Sequence, residues 1–269
     1  MKPLLGIAIS ALLLSLAGCG KNQNETANVP APPAASAPEK TDAIQSALTA
    51  QDRFAGDAAE DSWRKSNEVL AFLDVKPGMT VLDYFAGGGY YTELLSRVVG
   101  PQGRVYAYNN PEYAKYAGDK PKQRYANGRL ANVVELSGVP EQLTIEPQTL
   151  DAAIFVQAFH DLHWRSAKGD WPKTDPAQSL AQVVKALKPG ATVLVIDHVA
   201  NAGSNPDESV DALHRIDPEV VKREFTAAGL VFDSESKLFA NPADDHSKLV
   251  FDPAVSHKTD QFVFKFKKP

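Results

Sequence analysis

The chain has 269 residues, of which 43% are hydrophobic and 23% are charged, and its formal net charge is -5 at pH 7. Apart from a short basic tail at 265–268, like charges do not gather in blocks, so the sequence predicts no nucleic-acid-binding surface. Cys19 is the only cysteine, which excludes a disulfide bond within the chain.

The N-terminal residues have the pattern of a secretory signal peptide. Lys2 precedes an apolar run from Leu4 to Leu16, and Leu-Ala-Gly-Cys at 16–19 resembles the cleavage site of a bacterial lipoprotein. The apolar run is too short to form a stable membrane span. We therefore expect a signal peptide at 1–18 and a membrane anchor through lipidated Cys19. An ordinary signal peptide with an incidental cysteine is the alternative.

The segment after the signal peptide predicts a tether. Residues 19–50 are rich in Pro, Ala, Asn, Ser and Thr and show no sustained apolar period, which is typical of a disordered linker. Because Gly20 provides no aspartate retention signal, we expect a cell-envelope lipoprotein that faces the periplasm from the outer membrane. The remaining residues, 51–269, suit one domain of α/β size.

Strands and helices alternate along this domain. Apolar runs of strand length are separated by turns and by stretches with helical apolar spacing, which predicts a doubly wound, mostly parallel α/β sheet. The last two runs predict an antiparallel C-terminal hairpin. In chain order the predicted elements are a helix at 66–72, a strand at Thr80–Tyr84, a helix ending at Gly100, strands at 103–109, 131–136 and 150–157, a helix capped by Asp175, a strand at 191–198, a helix from Asp217 to Gly229, and strands beginning at Leu230 and Gln261.

The turn after the first strand, in VLDYFAGGGYYTELL at 81–95, contains three consecutive glycines. In doubly wound sheets ligands bind beyond the carboxyl ends of the strands, usually at the first strand-to-helix turn. Glycines there let the backbone approach a ligand, and the N–H groups that open the next helix favour a carboxylate or phosphate. A dinucleotide site would have glycine where Thr92 stands, which argues against a nicotinamide cofactor. A tight turn kept small for packing is the alternative.

Several motifs together carry a resemblance to a known family. They are VLD-(x)3-GGGYYTELL, ALKPGATVLVIDH, HRIDPEVVKREFTAAGL and NPADDHSKLVFDP, and the resemblance extends from about Asp52 to the end. In this order they resemble the class I S-adenosylmethionine-dependent methyltransferases and, within these, a bacterial group usually labelled as predicted methyltransferases. The resemblance implies a Rossmann-like seven-stranded fold, S-adenosyl-L-methionine as the cofactor, and methyl transfer to a small acceptor.

The resemblance also implies which residues contact the cofactor. Asp83 would order the turn and meet the cofactor's ammonium group, while Gly87 and Gly89 would line its methionine moiety. Two positions depart from the superfamily pattern, because Phe85 stands in place of a glycine and Asn109 in place of an acidic residue that accepts the ribose hydroxyls. The candidate cofactor-binding residues are Asp83, Phe85, Ala86, Gly87, Gly88, Gly89, Tyr90, Thr92, Asn109 and Gln157.

Five of the six histidines stand close to carboxylates in the sequence. His160 directly follows the fourth strand, which in this fold lies beside the first, so we expect it at the cofactor edge. A histidine there could take a proton from an acceptor oxygen or nitrogen, because its unperturbed pKa is near neutrality. His160 and Asp161 are therefore the candidate catalytic residues. The alternatives are a loop histidine bonded to its neighbours, or a metal site that uses His160, Asp161, Asp197, His198 or His246. Since no local spacing matches a known ligand motif, we expect no metal.

Two further motifs allow two interpretations each. In HRIDPEV at 214–220, Asp217 caps a helix, and Arg215 either merely precedes the cap or contacts an anionic acceptor. The segment ADDHSK at 243–248 is either a solvated loop or part of the site.

Two functions are compatible with these patterns. The first is a methyltransferase in which alignment and proton removal carry the reaction. The alternative is an envelope-tethered, non-catalytic small-molecule-binding protein on the same fold, because an exported protein meets little S-adenosylmethionine and because Phe85 and Asn109 depart from the pattern. A purely structural lipoprotein would leave the three glycines without a role.

Overall fold

The structure of the protein is a computed structural model that describes residues 40–166, 169 and 171–269. The predicted signal peptide, Cys19 and the first part of the predicted tether lie outside the described residues. Within the described ranges, no helix is both long and apolar enough to cross a membrane.

Helices and strands alternate along the described chain, and short 3-10 turns lie at 126–128, 140–142 and His160–Leu162. The helices are α1 (Lys40–Thr49), α2 (Asp57–Arg64), α3 (Ser66–Leu73), α4 (Tyr90–Val99), α5 (Pro111–Ala117), α6 (Lys120–Arg124), α7 (Pro176–Ala186), α8 (Pro206–Leu213) and α9 (Pro218–Ala227). The strands are β1 (Thr80–Tyr84), β2 (Arg104–Asn109), β3 (Val133–Ser137), β4 (Leu150–Val156), β5 (Leu187–His198), β6 (Val231–Ser236) and β7 (Gln261–Lys267).

The strands form one seven-stranded sheet in the order β3-β2-β1-β4-β5-β7-β6. Strands β1 to β5 run parallel, and β7 is antiparallel to its neighbours β5 and β6. The predicted doubly wound, mostly parallel sheet with an antiparallel C-terminal pair is therefore confirmed. The strand order reverses between β1 and β4, and ligands bind at such a reversal in α/β sheets.

Apolar layers on both faces of the sheet explain why the central strands are continuous apolar runs. Val81 of β1 is buried among side chains of α1, α3 and α4, and the next residue, Leu82, is buried among side chains of α7 and α9. A parallel strand covered on both faces needs apolar residues at successive positions. The sheet thus lies at the centre of the domain. The loops that follow the carboxyl ends of its parallel strands lie along one edge.

The starts of α7 and α9 agree with the sequence. Asp175 accepts hydrogen bonds from the N–H groups of Ala177 and Gln178, and Asp217 accepts one from the N–H of Glu219. In both helices proline follows the cap, where its fixed φ suits the first helical position and its missing N–H is not needed.

The predicted tether is wrong in its last part, because residues 40–49 form helix α1. Ala43, Ile44 and Ala47 of this helix are buried among apolar side chains of α3 and α4. Alanine, which made the segment look like a linker, is also the strongest helix former, and the buried residues recur at helical spacing. The folded domain therefore begins no later than residue 40 and not at 51.

Two other boundaries differ from the sequence-based expectation. Strand β5 begins at Leu187 and not at 191, because Leu187 pairs with Leu150 of β4 before an irregularity in the register. The antiparallel C-terminal strands are not a tight hairpin, since the long segment 237–260 joins β6 to β7.

Candidate active site

A cavity of about 780 Å³ opens where β1, β4 and β5 end. Its wall contains the glycine turn after β1, the first turn of α5, the 3-10 turn after β4, and His214 at the end of α8. Its volume is in the usual range for small-molecule sites. The cavity lies at the strand-order reversal, where the sequence predicts the cofactor.

The glycine turn is held in left-handed backbone conformations. Phe85 has a φ of 54°, Gly87 of 55° and Gly89 of 84°. Glycine adopts such angles without strain, which explains why the superfamily pattern has glycine at the position of Phe85. Phe85 keeps the glycine-like angle, and its ring stacks on that of Tyr113 with centroids 4.4 Å apart. The departure at Phe85 therefore preserves the shape of the turn.

Asn109 fixes the glycine turn and does not line the cavity. Its Oδ1 accepts a hydrogen bond from the N–H of Gly87 at 2.9 Å, and its Nδ2 donates to the carbonyl oxygen of Gly87 at 3.1 Å. An ionised carboxylate at this position could not donate the second bond, so the amide suits the turn. The structure thus shows Asn109 bonded to the turn, and its predicted cofactor contact stays a prediction.

Three residues after Asn109, the chain places the carboxylate of Glu112 in the cavity wall. Asn110 caps α5 by accepting a hydrogen bond from the N–H of Tyr113 at 2.7 Å, and this places Glu112 in the first helical turn. Glu112 lines the cavity, and its buried Oε2 has no hydrogen-bond partner among the described residues. Buried polar atoms nearly always have a partner in native proteins, so the unpartnered oxygen makes Glu112 a candidate ligand-binding residue. An acidic residue in a first helical turn is common, so the sequence alone did not single it out.

Asp83 lines the cavity, whereas Thr92 and Gly89 lie outside the cavity wall. The Thr92 hydroxyl is buried and donates a hydrogen bond to Asp83 Oδ2 at 2.6 Å. Burial raises the pKa of the Asp83 carboxyl to about 6, although the bond from Thr92 opposes this shift. A side chain at Gly89 would collide with Tyr125 and Arg124. Thr92 and Gly89 therefore lie outside the cavity wall, and their predicted cofactor contacts stay predictions.

The other candidate residues do lie in the cavity wall. A Cβ at Gly87 would point into open space, so this part of the wall is bare backbone. The Tyr90 hydroxyl is hydrogen-bonded to the Ser66 hydroxyl at 2.6 Å, and Tyr90 lines the cavity. Their contact with a cofactor stays a prediction. The residues placed in the wall as expected are Asp83, Phe85, Ala86, Gly87, Gly88, Tyr90 and Gln157.

Four side chains, His160, Asp161, Asp197 and His214, form a cluster at the cavity that we call the histidine cluster. His160 Nδ1 lies 2.7 Å from Asp197 Oδ1, and His160 Nε2 lies 3.3 Å from Asp161 Oδ1 and 3.4 Å from His214 Nδ1. Burial lowers the pKa of His160, but Asp161 and Asp197 outweigh this effect and raise it to about 9. His160 is therefore mostly protonated at neutral pH, in contrast to the near-neutral pKa that the sequence suggests.

The motif HRIDPEV contributes His214 to the cavity and not Arg215. His214 meets His160 across 54 positions of the chain, a contact that no local pattern could reveal. Arg215 is fully buried and pairs with Asp244, with 2.9 Å between Nη1 and Oδ2. The structure therefore contradicts a contact between Arg215 and an anionic acceptor, and Asp244 is part of the core and not of a solvated loop.

The remaining histidines have other environments. His198 lines the cavity, but burial lowers its pKa to about 3 despite the nearby carboxylate of Asp197, so its imidazole is neutral. His163 and His246 lie outside the cavity wall, and each is paired with a carboxylate at 3.0 Å. The structure thus concentrates the candidate acid-base groups at His160.

No protein-family model matches the chain. The chain is 43% identical over 67 residues to protein-L-isoaspartate O-methyltransferase of Aeropyrum pernix, which is 24% of this chain and 26% of that protein. It is 27% identical over 136 residues to demethylmenaquinone methyltransferase of Bacillus mycoides (strain KBAB4), which is 51% of each protein. The chain thus matches between about a quarter and about half of the length of these relatives.

Among solved structures, the crystal structure of a SAM dependent methyltransferase from Aquifex aeolicus has a TM-score of 0.53 and 21% identity, and the match covers 74% of this chain and 87% of that one. The fold is that of the class I S-adenosylmethionine-dependent methyltransferases. At this identity a structural likeness shows the fold alone. The two relatives in sequence are methyltransferases, as is the neighbour in structure.

Proposed function

We propose that the protein is an S-adenosylmethionine-dependent methyltransferase that acts on a small acceptor. The observation that carries the proposal is the cavity beside the glycine turn, whose wall includes Glu112 with a buried Oε2 that has no partner among the described residues. The names of the relatives and of the structural neighbour support it. When bound, this cofactor supplies an electrophilic methyl group on a sulfonium.

The residues of the cavity fit this cofactor. A carboxylate can accept hydrogen bonds from two adjacent hydroxyl groups, so Glu112 would hold the ribose in place of the usual acidic residue after β2. Asp83 would hold the ammonium group through a charge-assisted hydrogen bond. The bare backbone at Gly87 leaves room for the methionine moiety.

His160, with Asp161 beside it, would take the acceptor's proton. Asp197 binds His160 Nδ1 and so orients the ring, with Nε2 directed toward Asp161 and His214. A pKa of about 9 makes the neutral imidazole a strong base, but only about 1% of it is neutral at pH 7. Methyl transfer to an acceptor that must lose a proton should therefore become faster with rising pH until about pH 9.

Alanine variants can distinguish the role of His160 from that of His163, a nearby histidine in the sequence. Replacing His160→Ala should lower turnover at least about 100-fold with little change in cofactor affinity, because proton removal matters in the transition state. His163→Ala, which alters a histidine outside the cavity, should leave turnover near the wild-type rate. Wild-type turnover in His160→Ala would remove the base assignment.

Calorimetric titration of the purified protein with S-adenosylmethionine tests the proposed cofactor. We expect saturable binding and a loss of affinity of at least about tenfold in Glu112→Gln, because a charged acceptor of hydrogen bonds is removed. Glu208→Gln is the matched control, since Glu208 also lies in a first helical turn after an Asn cap and a proline but outside the cavity.

The results of this titration distinguish the two candidate functions. No binding of S-adenosylmethionine to the wild type would reject the methyltransferase and favour a binding protein for another small molecule. Binding that Glu112→Gln and Glu208→Gln weaken equally would remove Glu112 from the site. Binding without methyl transfer to hydroxyl, thiol or amine compounds would favour a non-catalytic cofactor-binding protein.

We also propose that the mature chain is a cell-envelope lipoprotein anchored through Cys19 and facing the periplasm. The support is the order Leu-Ala-Gly-Cys after an apolar run that follows Lys2. Metabolic labelling with a fatty acid should mark the wild type but not Cys19→Ser. Label that persists in the variant would contradict this anchor.

A further inference from the structure

The histidine cluster presents three potential metal ligands to the cavity. His160 Nε2 lies 3.3 Å from Asp161 Oδ1 and 3.4 Å from His214 Nδ1, and these last two atoms are 3.7 Å apart. All three residues line the cavity. They come from two distant parts of the chain, the 3-10 turn after β4 and the C-terminal end of α8.

The distances among these atoms match the size of a zinc-type ion. The point equidistant from the three atoms lies about 2.0 Å from each, and Zn–N and Zn–O bonds in proteins are about 2.0–2.2 Å long. Two imidazoles and one carboxylate are also ligand types that Zn²⁺ and neighbouring divalent transition metals accept, whereas Mg²⁺ and Ca²⁺ prefer oxygen. The three atoms can therefore meet one ion without rearrangement of the cluster.

Outer hydrogen bonds orient two of the three ligands. His160 Nδ1 lies 2.7 Å from Asp197 Oδ1, and the Tyr113 hydroxyl donates to Asp161 Oδ2 at 2.5 Å. These bonds direct His160 Nε2 and Asp161 Oδ1 toward the shared point. A carboxylate behind a ligating histidine is the usual support of a metal site, because it fixes the tautomer and makes the other ring nitrogen a better ligand.

His214 is fixed by its backbone and by ring packing. It ends α8 with a φ of 51°, and its N–H donates to the carbonyl oxygen of Val210 at 2.9 Å. Its ring contacts Trp164 and Phe251, with centroid distances of 4.9 and 5.2 Å. A left-handed conformation at a residue other than glycine costs energy and is retained where the surroundings enforce it, often at functional sites.

The charges of the cluster also favour a cation. Asp161 and Asp197 are both buried, and the ion pairs that they form within the described part of the chain involve only histidines. Two buried carboxylates close to one another need compensating positive charge. An ion at the shared point would provide it.

We propose that His160, Asp161 and His214 bind a divalent transition metal ion, with Zn²⁺ as the representative. The proposal goes beyond methyl transfer and does not depend on it. Three protein ligands at the wall of a cavity leave a coordination position open to a ligand, as in catalytic zinc sites. A hydroxyl or thiol acceptor bound there would release its proton to water more readily, and the ion would then replace His160, whose Nε2 is a ligand, as the activating group.

Co²⁺ and Zn²⁺ titrations of the chelator-treated full chain test the site. We expect one equivalent of Co²⁺ to give the visible absorption of a low-coordinate nitrogen and oxygen site, and one equivalent of Zn²⁺ to displace it. Asp161→Asn and His214→Ala should each abolish this saturable binding. Asp197→Asn should weaken it about 10- to 100-fold, because Asp197 acts on the ion only through His160.

His246→Ala is the matched control, because His246 also pairs with a carboxylate, Asp260, but lies outside the cavity. This variant should bind Co²⁺ like the wild type, and Mg²⁺ should not compete. Absence of saturable Co²⁺ binding in the folded wild type, or equal binding in His214→Ala, would overturn the proposal. Titration of the metal-free protein with S-adenosylmethionine reports on the cofactor separately, so failure of one proposal is distinguishable from failure of the other.

Discussion

Two buried charged clusters of the domain differ in how their charge is compensated. The first, which we call the arginine cluster, surrounds Glu93, whose carboxylate lies 2.6 Å from Arg124, 2.6 Å from Arg129 and 3.0 Å from Arg97. Asp57 adds a second carboxylate, 2.5 Å from Arg124. In the histidine cluster, by contrast, both carboxylates form ion pairs only with imidazoles among the described residues.

This difference indicates which cluster stabilises the fold and which cluster can take part in a reaction or bind an ion. Burial raises the pKa of Glu93, but its arginine partners outweigh this effect and lower it to about 2, so its charge is permanent under ordinary conditions. Guanidinium groups stay charged in proteins, whereas an imidazole can lose its proton or bind a metal ion. A cluster of fixed charges therefore suits a structural role, and a cluster with histidines can exchange its compensating cation.

The largest effect should come from removing a carboxylate of the arginine cluster. Glu93→Gln leaves buried guanidinium groups without their partner and should lower the free energy of unfolding by about 3–5 kcal/mol. Asp161→Asn in the histidine cluster should change it by no more than about 1 kcal/mol, because an imidazole can become neutral when a carboxylate is lost. Urea unfolding followed by circular dichroism measures both variants. Equal losses would show that the two clusters do not differ in this way.

Asp83 sharpens the comparison because it is a buried carboxylate whose direct partner is a hydroxyl and not a guanidinium. Its folded-state pKa is raised from 3.8 to about 6, so the folded protein binds this proton more tightly than the unfolded chain does. The stability that Asp83 contributes is present below about pH 4 and is lost as the pH rises through about 6.

Between pH 4 and pH 7, Asp83→Asn should therefore gain about 2 kcal/mol of unfolding free energy relative to the wild type. The measurement is the difference in unfolding free energy between variant and wild type at each pH, since this difference removes the contribution of groups that titrate in both proteins. A difference that does not change with pH would contradict the raised pKa.

The smallest expected effect concerns two glycines, one in the cavity wall and one outside it. Gly87 and Gly78 both have a positive φ and open space where a Cβ would point, but only Gly87 lines the cavity. Alanine at either position should cost about 1–2 kcal/mol of stability. Only Gly87→Ala should also weaken S-adenosylmethionine binding, by about tenfold or more, because its methyl group would enter the cavity. Equal affinities in calorimetric titration would exclude the glycine turn from the site.

The amino-acid sequence by itself determined the elements of the sheet and the edge that carries the cavity. The bounds of β1 are the predicted ones, because a buried parallel strand needs a continuous apolar run and the turns around it are marked by glycine and proline. The caps Asp175 and Asp217 located two helices through local hydrogen bonds. Helix α1 was missed, since its alanines stabilise a helix in this chain only when they pack on α3 and α4.

The identity of the groups that face the cavity was decided by the tertiary structure. Asn109 occupies the position predicted for a cofactor contact, yet its amide bonds Gly87, whereas the carboxylate of Glu112 lies in the cavity wall. His214 joins His160 only because the end of α8 packs against the turn after β4. The physical reason is that strands and caps depend on neighbours along the chain, whereas the direction of a side chain and its partner depend on residues brought together only by folding.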